Sequence, residues 1–201
     1  MSLPFASAKS RQKKMRQVIA TGVLLALLTS NSLAHPIPDV PVWSFFHADG
    51  SARIKIEIDV RCFSDDPENE PYLQYRVLKE MTEEERADLL KQAAEYVKNT
   101  VAFRFEPAGF VEPKFVFAFE KLGQGKLEKT NDPVVISGEW ASSLAENTTG
   151  YGIDALPAGE LSVLFLNHIN DEAVPRIQVL FPKEKSYLLD LTELRRMPPA
   201  R

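Results

Sequence analysis

The sequence predicts an all-β fold: a single β-sandwich of about seven or eight strands, with immunoglobulin-like or Greek-key layers and an inserted helical segment. Two observations predict the strands. Apolar and polar residues alternate over most of the chain after Val40, and turn residues separate the alternating runs. A third observation, an amphipathic stretch near residues 71–99, predicts the helical insertion. The alternative is an α+β fold in which one antiparallel sheet packs on the helix.

The first two predicted strands form a hairpin. One runs from Val42 to Phe46 and the other from Ala52 to Phe63, and Asp49-Gly50 between them is a strong hairpin signal. Strict alternation in the second strand predicts one buried face and one face in water. Cys62 falls on the apolar face and is expected to be buried, as free cysteines commonly are.

The helical insertion follows an acidic loop at residues 64–71. Pro71 is suited to the first turn of a short helix that ends near Lys79. A longer helix begins at Thr82, which has capping-box spacing to Glu85, and ends near Thr100. Further strands are then expected at Val101 to Phe105, Phe115 to Phe119, Val134 to Trp140, Leu161 to Asn167, Arg176 to Phe181 and Tyr187 to Leu191.

Residues 1–34 have the pattern of a cleavable secretory signal peptide. Basic residues up to Arg16 precede an apolar run from Val18 to Leu28, and Ser32-Leu33-Ala34 supplies small residues at a cleavage site. The apolar run is too short for a stable membrane span. We therefore expect a secreted or periplasmic protein with a single domain at residues 35–194 and a disordered tail at residues 195–201.

The charge of the expected mature chain excludes some partners. Five of the 24 Lys and Arg residues, and none of the 28 Asp and Glu residues, precede residue 35. The remaining chain has a formal charge of −9, which disfavours nucleic acid and anionic membrane surfaces as partners. A protein, a surface polymer or a metal ion remains as a candidate ligand.

Short catalytic motifs are absent from the sequence. It has no G-x-S-x-G, H-E-x-x-H or C-x-x-C motif, no phosphate-binding glycine loop and no dinucleotide fingerprint. Enzyme classes with such signatures are therefore disfavoured, and no catalytic residue is predicted. The sequence favours an exported protein of binding or structural type.

His35 leads to an alternative function. Cleavage after Ala34 would make it the first residue, so that its amino and imidazole nitrogens could chelate one copper ion. This arrangement resembles the histidine brace of secreted copper proteins, including copper-dependent polysaccharide monooxygenases and periplasmic copper carriers, many of which are β-sandwiches. The resemblance implies copper as a cofactor. The other interpretation of His35-Pro36-Ile37-Pro38 is a solvated arm stiffened by proline.

His168 is the predicted partner of His35 in such a site. It ends a predicted strand, whereas His47 is expected at the far end of the first strand from His35. His168 could equally be an ordinary loop residue, because strand order is not known from sequence. The acidic segments at residues 65–70 and 170–172 offer oxygens for Ca²⁺, but they lack the EF-hand pattern and are better interpreted as solvated loops.

Overall fold

The computed structural model describes residues 39–123 and 125–196, and the predicted signal peptide lies outside them. The elements in chain order are β1 (Val40–Phe46), β2 (Ser51–Asp59), α1 (Tyr75–Glu80), α2 (Glu83–Thr100), β3 (Val101–Glu106), β4 (Gly109–Val111), β5 (Val116–Lys121), β6 (Val134–Ser143), β7 (Gly150–Ala155), β8 (Val163–Ile169), β9 (Glu172–Ala173), β10 (Gln178–Leu180) and β11 (Leu189–Asp190). Short 3-10 turns occur at Val60–Phe63 and Leu194–Arg196.

The strands form two sheets that pack against each other. The larger sheet has the order β10-β8-β1-β2-β6-β5, with β9 paired to β8, and the smaller has the order β11-β7-β3-β4. Rings from both sheets meet in the core: the centroid of Phe46 lies 5.0 Å from that of Tyr151 and 6.5 Å from that of Phe105. The predicted sandwich-like β fold is confirmed.

The β1–β2 hairpin has the predicted turn. Gly50 has a φ of 85°, which glycine adopts without steric cost, and the Asp49 carboxylate accepts a 2.8 Å hydrogen bond from the Ser51 amide. The resulting register pairs Val42 with Ile56. This places the apolar residues of both strands on the face towards the smaller sheet.

The larger sheet contains a parallel pair that the sequence did not indicate. β8 lies beside β1 and runs in the same direction, from Val163 opposite Val40 to Ile169 opposite Phe46. The two strands are more than a hundred residues apart, so their pairing depends on contacts throughout the fold rather than on a local turn.

The prediction of a water-exposed polar face on β2 was wrong. Lys55 and Glu57 have only 8% and 4% of their surface exposed. Lys55 Nζ donates a 2.6 Å hydrogen bond to Glu120 on β5 and lies 3.9 Å from Glu57. Alternation indicates which face a side chain occupies, but it does not reveal whether other residues cover that face.

The end of β2 also differs from the prediction. The strand ends at Asp59, and Cys62 lies in the following 3-10 turn, partly buried against the core. Asp59 accepts hydrogen bonds from Arg61 Nε at 3.0 Å and Nη2 at 2.8 Å, and the Arg61 guanidinium lies 3.8 Å from the Tyr72 ring centroid. Residues after the acidic loop therefore cover this end of the sheet.

Both predicted helices are present. α1 begins later than predicted, because the chain before it stays extended and Gln74 forms a bridge with Pro133. α2 has the expected capping box: Thr82 Oγ1 accepts from the Glu85 amide, and the Glu85 carboxylate accepts from the Thr82 amide. Its residues Ala93 and Val97 are buried in the core. Within residues 39–123 and 125–196, no helix has the length and apolar character needed to cross a membrane.

Candidate functional site

Two of the three histidines lie at one end of the larger sheet. His168 on β8 is paired with Phe45 on β1, and their rings stack with centroids 4.6 Å apart and planes 17° apart. His47 directly follows β1, and its Nε2 atom lies 4.0 Å from the Asp171 carboxylate. The pairing of β8 with β1 therefore places His47 and His168 at the same end of the larger sheet.

His35 lies outside the described residues, so its pairing with His168 stays a prediction. The register of β8 against β1 is relevant to that pairing. His168 is level with Phe45, which lies about 16 Å along β1 from Val40, the end of the strand that follows His35 in the chain. His168 Nδ1 is buried and has no hydrogen-bond partner among the described residues. Burial lowers the pKa of His168, while the nearby Asp171 carboxylate acts in the opposite direction.

The other groups named in the sequence analysis are the acidic loop and Cys62. Within the described ranges, no three His, Cys, Asp or Glu side chains are placed to hold a metal ion. In the acidic loop, the exposed Asp66 carboxylate accepts hydrogen bonds from the Asn69 side-chain amide. Burial raises the pKa of the Cys62 thiol to about 12, so it is protonated at neutral pH and a poor nucleophile.

The strongest candidate site is a cleft at one edge of the sandwich. β5 ends the larger sheet, β4 ends the smaller sheet, and α2 lies beside β3 and β5. The cleft lies between α2, β3 and the chain that connects β4 to β5, and its volume is about 620 Å³. Its lining residues are Lys91, Ala94, Glu95, Val97, Lys98, Val101, Ala102, Phe103, Val111, Glu112, Pro113, Lys114, Phe115, Phe117 and Leu156.

Three phenylalanines form much of the apolar wall. The ring centroid of Phe115 lies 5.5 Å from that of Phe103 and 5.9 Å from that of Phe117. Phe117 is paired with Gly138 on β6, and its ring packs against the glycine backbone. A Cβ atom at position 138 would lie only 2.6 Å from Phe117 Cε1, so the glycine makes room for this wall of the cleft.

Charged residues surround the apolar wall. Lys91, Glu95 and Lys98 come from α2, whereas Glu112 and Lys114 come from the β4–β5 connection. Lys98 Nζ lies 3.5 Å from the Glu112 carboxylate, and both side chains are largely exposed. Such exposed ion pairs contribute little stability, so the pair does not hold the cleft shut.

The ionisable side chains of the lining are of two kinds, lysine and glutamate. Among the described residues that line the cleft, none carries a hydroxyl, thiol, imidazole or aspartate group. The free cysteine, Cys62, is not among the lining residues.

No protein-family model matches this chain, and no curated protein matches it either.

Sequence reasoning missed this cleft although it identified its parts. The amphipathic helix and the strand that contains Phe115 and Phe117 are both predicted from the sequence. The one local signal was a second stripe at helical spacing, Lys91, Ala94 and Lys98, next to the stripe that packs in the core. Whether this second stripe lines a cleft depends on which sheet edge the helix lies against.

Proposed function

We propose that this chain is an exported binding protein that holds an apolar small molecule in the cleft between α2 and the sandwich edge. The observation that carries this proposal is the 620 Å³ volume lined by Phe103, Phe115 and Phe117. Pockets for small ligands commonly have volumes of roughly 300–1,000 Å³ and mainly apolar walls with a few polar groups.

The proposed binding energy comes from burial of apolar surface. Each Å² of apolar ligand surface removed from water contributes about 25 cal/mol. Phe115 and Phe117 are partly exposed and supply such surface. Phe103 is only 2% exposed and supports the wall through its contact with Phe115. Because two sheets and a helix surround it, the wall is formed before the ligand arrives, and little ordering cost is expected on binding.

Export is part of the proposal and is supported by the leader pattern of residues 1–34. It places the protein in the periplasm or outside the cell. Mass spectrometry of the protein recovered from that compartment should show a chain that begins at His35. A cytoplasmic chain that retains its leader would contradict export without affecting the cleft.

The cleft can be tested by filling it. Ala94 is exposed on α2 and lines the cleft, so Ala94→Trp should occupy part of its volume without disturbing the core. The probe is N-phenyl-1-naphthylamine, an uncharged apolar fluorophore. We expect one binding site per chain and at least a tenfold loss of affinity in Ala94→Trp.

Ala87→Trp is the matched control. Ala87 is exposed two turns earlier on the same helix and does not line the cleft. Ala87→Trp should leave both the affinity for the probe and the thermal midpoint of unfolding unchanged. Equal affinities for the native chain and Ala94→Trp, with both folded, would reject the cleft as the binding site.

A further inference from the structure

We infer that the ligand of this cleft is a monomeric amphiphile with an apolar chain and one carboxylate headgroup. The apolar chain lies against the phenylalanine wall, and the carboxylate lies at the rim beside Lys91, Lys98 and Lys114. This inference rests on the proposed function and adds the chemical class of the ligand.

The rim is positive in a chain that is otherwise negative. Three lysines and two glutamates line the cleft, whereas residues 35–201 together have a formal charge of −9. A small excess of positive charge at one apolar opening distinguishes the cleft from the average surface. It favours an anionic headgroup over a cationic one.

The lysines lie on opposite sides of the cleft opening. Lys91 and Lys98 are seven residues apart on α2, which separates their Cα atoms by about 10 Å along the helix axis. Lys114 belongs to the β4–β5 connection on the other side. Lysine side chains can therefore approach a carboxylate at the opening from both sides. These side chains are flexible, and their aliphatic stems can pack on apolar surface.

Two of these lysines are available for a ligand. In the described part of the chain, neither Lys91 nor Lys114 forms an ion pair, and both are exposed. Lys98 has Glu112 as its partner at 3.5 Å, which compensates its charge. Lys91 and Lys114 then remain with Glu95 in the lining, which leaves an excess of one positive charge. Lys91 and Lys114 are therefore the residues that chiefly recognise the headgroup.

A monomeric ligand fits the observations better than a membrane surface. Binding to an anionic bilayer requires a broad basic patch, and the overall negative charge opposes it. A single amphiphile needs only the local rim charge. The volume of the cleft also corresponds to one small molecule.

The test uses three compounds with the same ten-carbon chain and different headgroups: decanoate, decan-1-ol and decyltrimethylammonium. Isothermal titration calorimetry is carried out on the full mature chain, below the micellar concentrations of the two ionic compounds and below the solubility limit of decan-1-ol. We expect decanoate to bind about five- to twentyfold more tightly than decan-1-ol, as two exposed charge pairs would give. Added salt should weaken decanoate binding while leaving decan-1-ol binding unchanged.

The lysine variant is Lys91→Met combined with Lys114→Met, which keeps apolar stems and removes both charges. It should reduce decanoate affinity to that of decan-1-ol and leave decan-1-ol affinity unchanged. Lys126→Met is the control, because Lys126 is an exposed lysine outside the cleft lining. Lys126→Met should bind decanoate with the same affinity as the native chain.

The outcomes separate this inference from the proposed function. Equal binding of all three compounds, or tighter binding of the cationic one, overturns the carboxylate inference but leaves an apolar binding cleft. Failure of all three to bind overturns the carboxylate inference, while the Ala94→Trp experiment with its unrelated fluorophore decides the proposed function. Decanoate preference that survives in Lys91→Met/Lys114→Met also overturns the inference.

Discussion

At the residue scale, Gly138 controls the position of one wall of the cleft. It lies in the middle of β6, where a glycine would ordinarily weaken a strand. The ring of Phe117 occupies the space that a side chain at this position would need. A residue within the sheet therefore affects a binding surface that it does not line.

Gly138→Ala should destabilise the fold by about 1–3 kcal/mol, because the new methyl group overpacks against Phe117. Denaturant unfolding measures this loss. Phe117→Leu should relieve part of it, so the double variant should be more stable than the sum of the single effects predicts. Strict additivity would show that the ring is not the source of the strain.

His35 carries the copper alternative, which stays a prediction. If leader cleavage leaves His35 at the amino terminus, the mature chain should bind Cu²⁺ tightly, and His35→Ala should abolish that binding. Titration with Cu²⁺ by calorimetry provides the measurement. His168→Ala tests the second ligand.

The copper hypothesis fails if cleavage occurs elsewhere or if His35→Ala leaves the affinity unchanged. If His35→Ala is effective and His168→Ala is not, the site uses another donor. The register of β1 and β8 makes this comparison informative, because His168 is level with Phe45 rather than with the start of β1.

At the element scale, the connection between β5 and β6 is held by one carboxylate. Asp132 accepts hydrogen bonds from the amides of Glu128 at 3.0 Å and Lys129 at 2.8 Å, and Lys121 Nζ lies 3.1 Å away. The two backbone hydrogen bonds are the main reason that the pKa of Asp132 falls to about 2. This turn joins the edge strand that carries Phe117 to its neighbour.

Asp132 should contribute to acid sensitivity. Its pKa is lower in the folded chain than the ordinary value of 3.8, so its carboxylate stabilises the fold above about pH 4. That contribution is lost as the pH falls from about 4 towards 2. Thermal midpoints across this range should therefore fall more steeply for the native chain than for Asp132→Asn.

Asp132→Asn should also be less stable than the native chain at pH 7, because an amide is a weaker acceptor than a carboxylate. Asp65→Asn is a suitable control, since Asp65 is exposed in the acidic loop. Parallel pH curves for the native chain and Asp132→Asn would contradict the assignment of this acid sensitivity to Asp132.

The elements themselves were largely predictable, because their signals are local. The capping box of α2 and the Asp49-Gly50 hairpin depend on residues close together in sequence. The length of β2 and the exposure of its polar face were not. Glu120 on β5 reaches Lys55 on β2, and the Tyr72 ring stacks on Arg61 in the turn that follows β2, so both features depend on residues from other parts of the chain.

At the scale of the whole molecule, a hydrogen bond joins the two sheets inside the core. Ser44 on β1 donates to the Tyr151 hydroxyl on β7 at 2.9 Å, and both residues are fully buried. Burial raises the pKa of Tyr151, with the Ser44 hydrogen bond acting in the opposite direction. The hydrogen bond between Ser44 and Tyr151 therefore fixes the position of one sheet on the other at this point in the core.

Tyr151→Phe should cost about 1–3 kcal/mol, because the Ser44 hydroxyl is left buried without its partner. Adding Ser44→Ala should restore part of the loss, since the unpaired group is then gone. Urea denaturation of the native chain, both single variants and the double variant completes the cycle. An additive result would show that the hydrogen bond contributes nothing to stability.

By itself, the sequence determined the β-rich class, the helices, the hairpin and the expectation of export. These follow from residue spacing, turn chemistry and the composition of short segments. Only the tertiary structure decided that β8 lies parallel to β1, that β2 has a covered polar face, and that α2 and two sheet edges enclose a cleft. The physical reason is that a binding surface forms between elements distant in sequence, where local patterning carries no information about which edges meet.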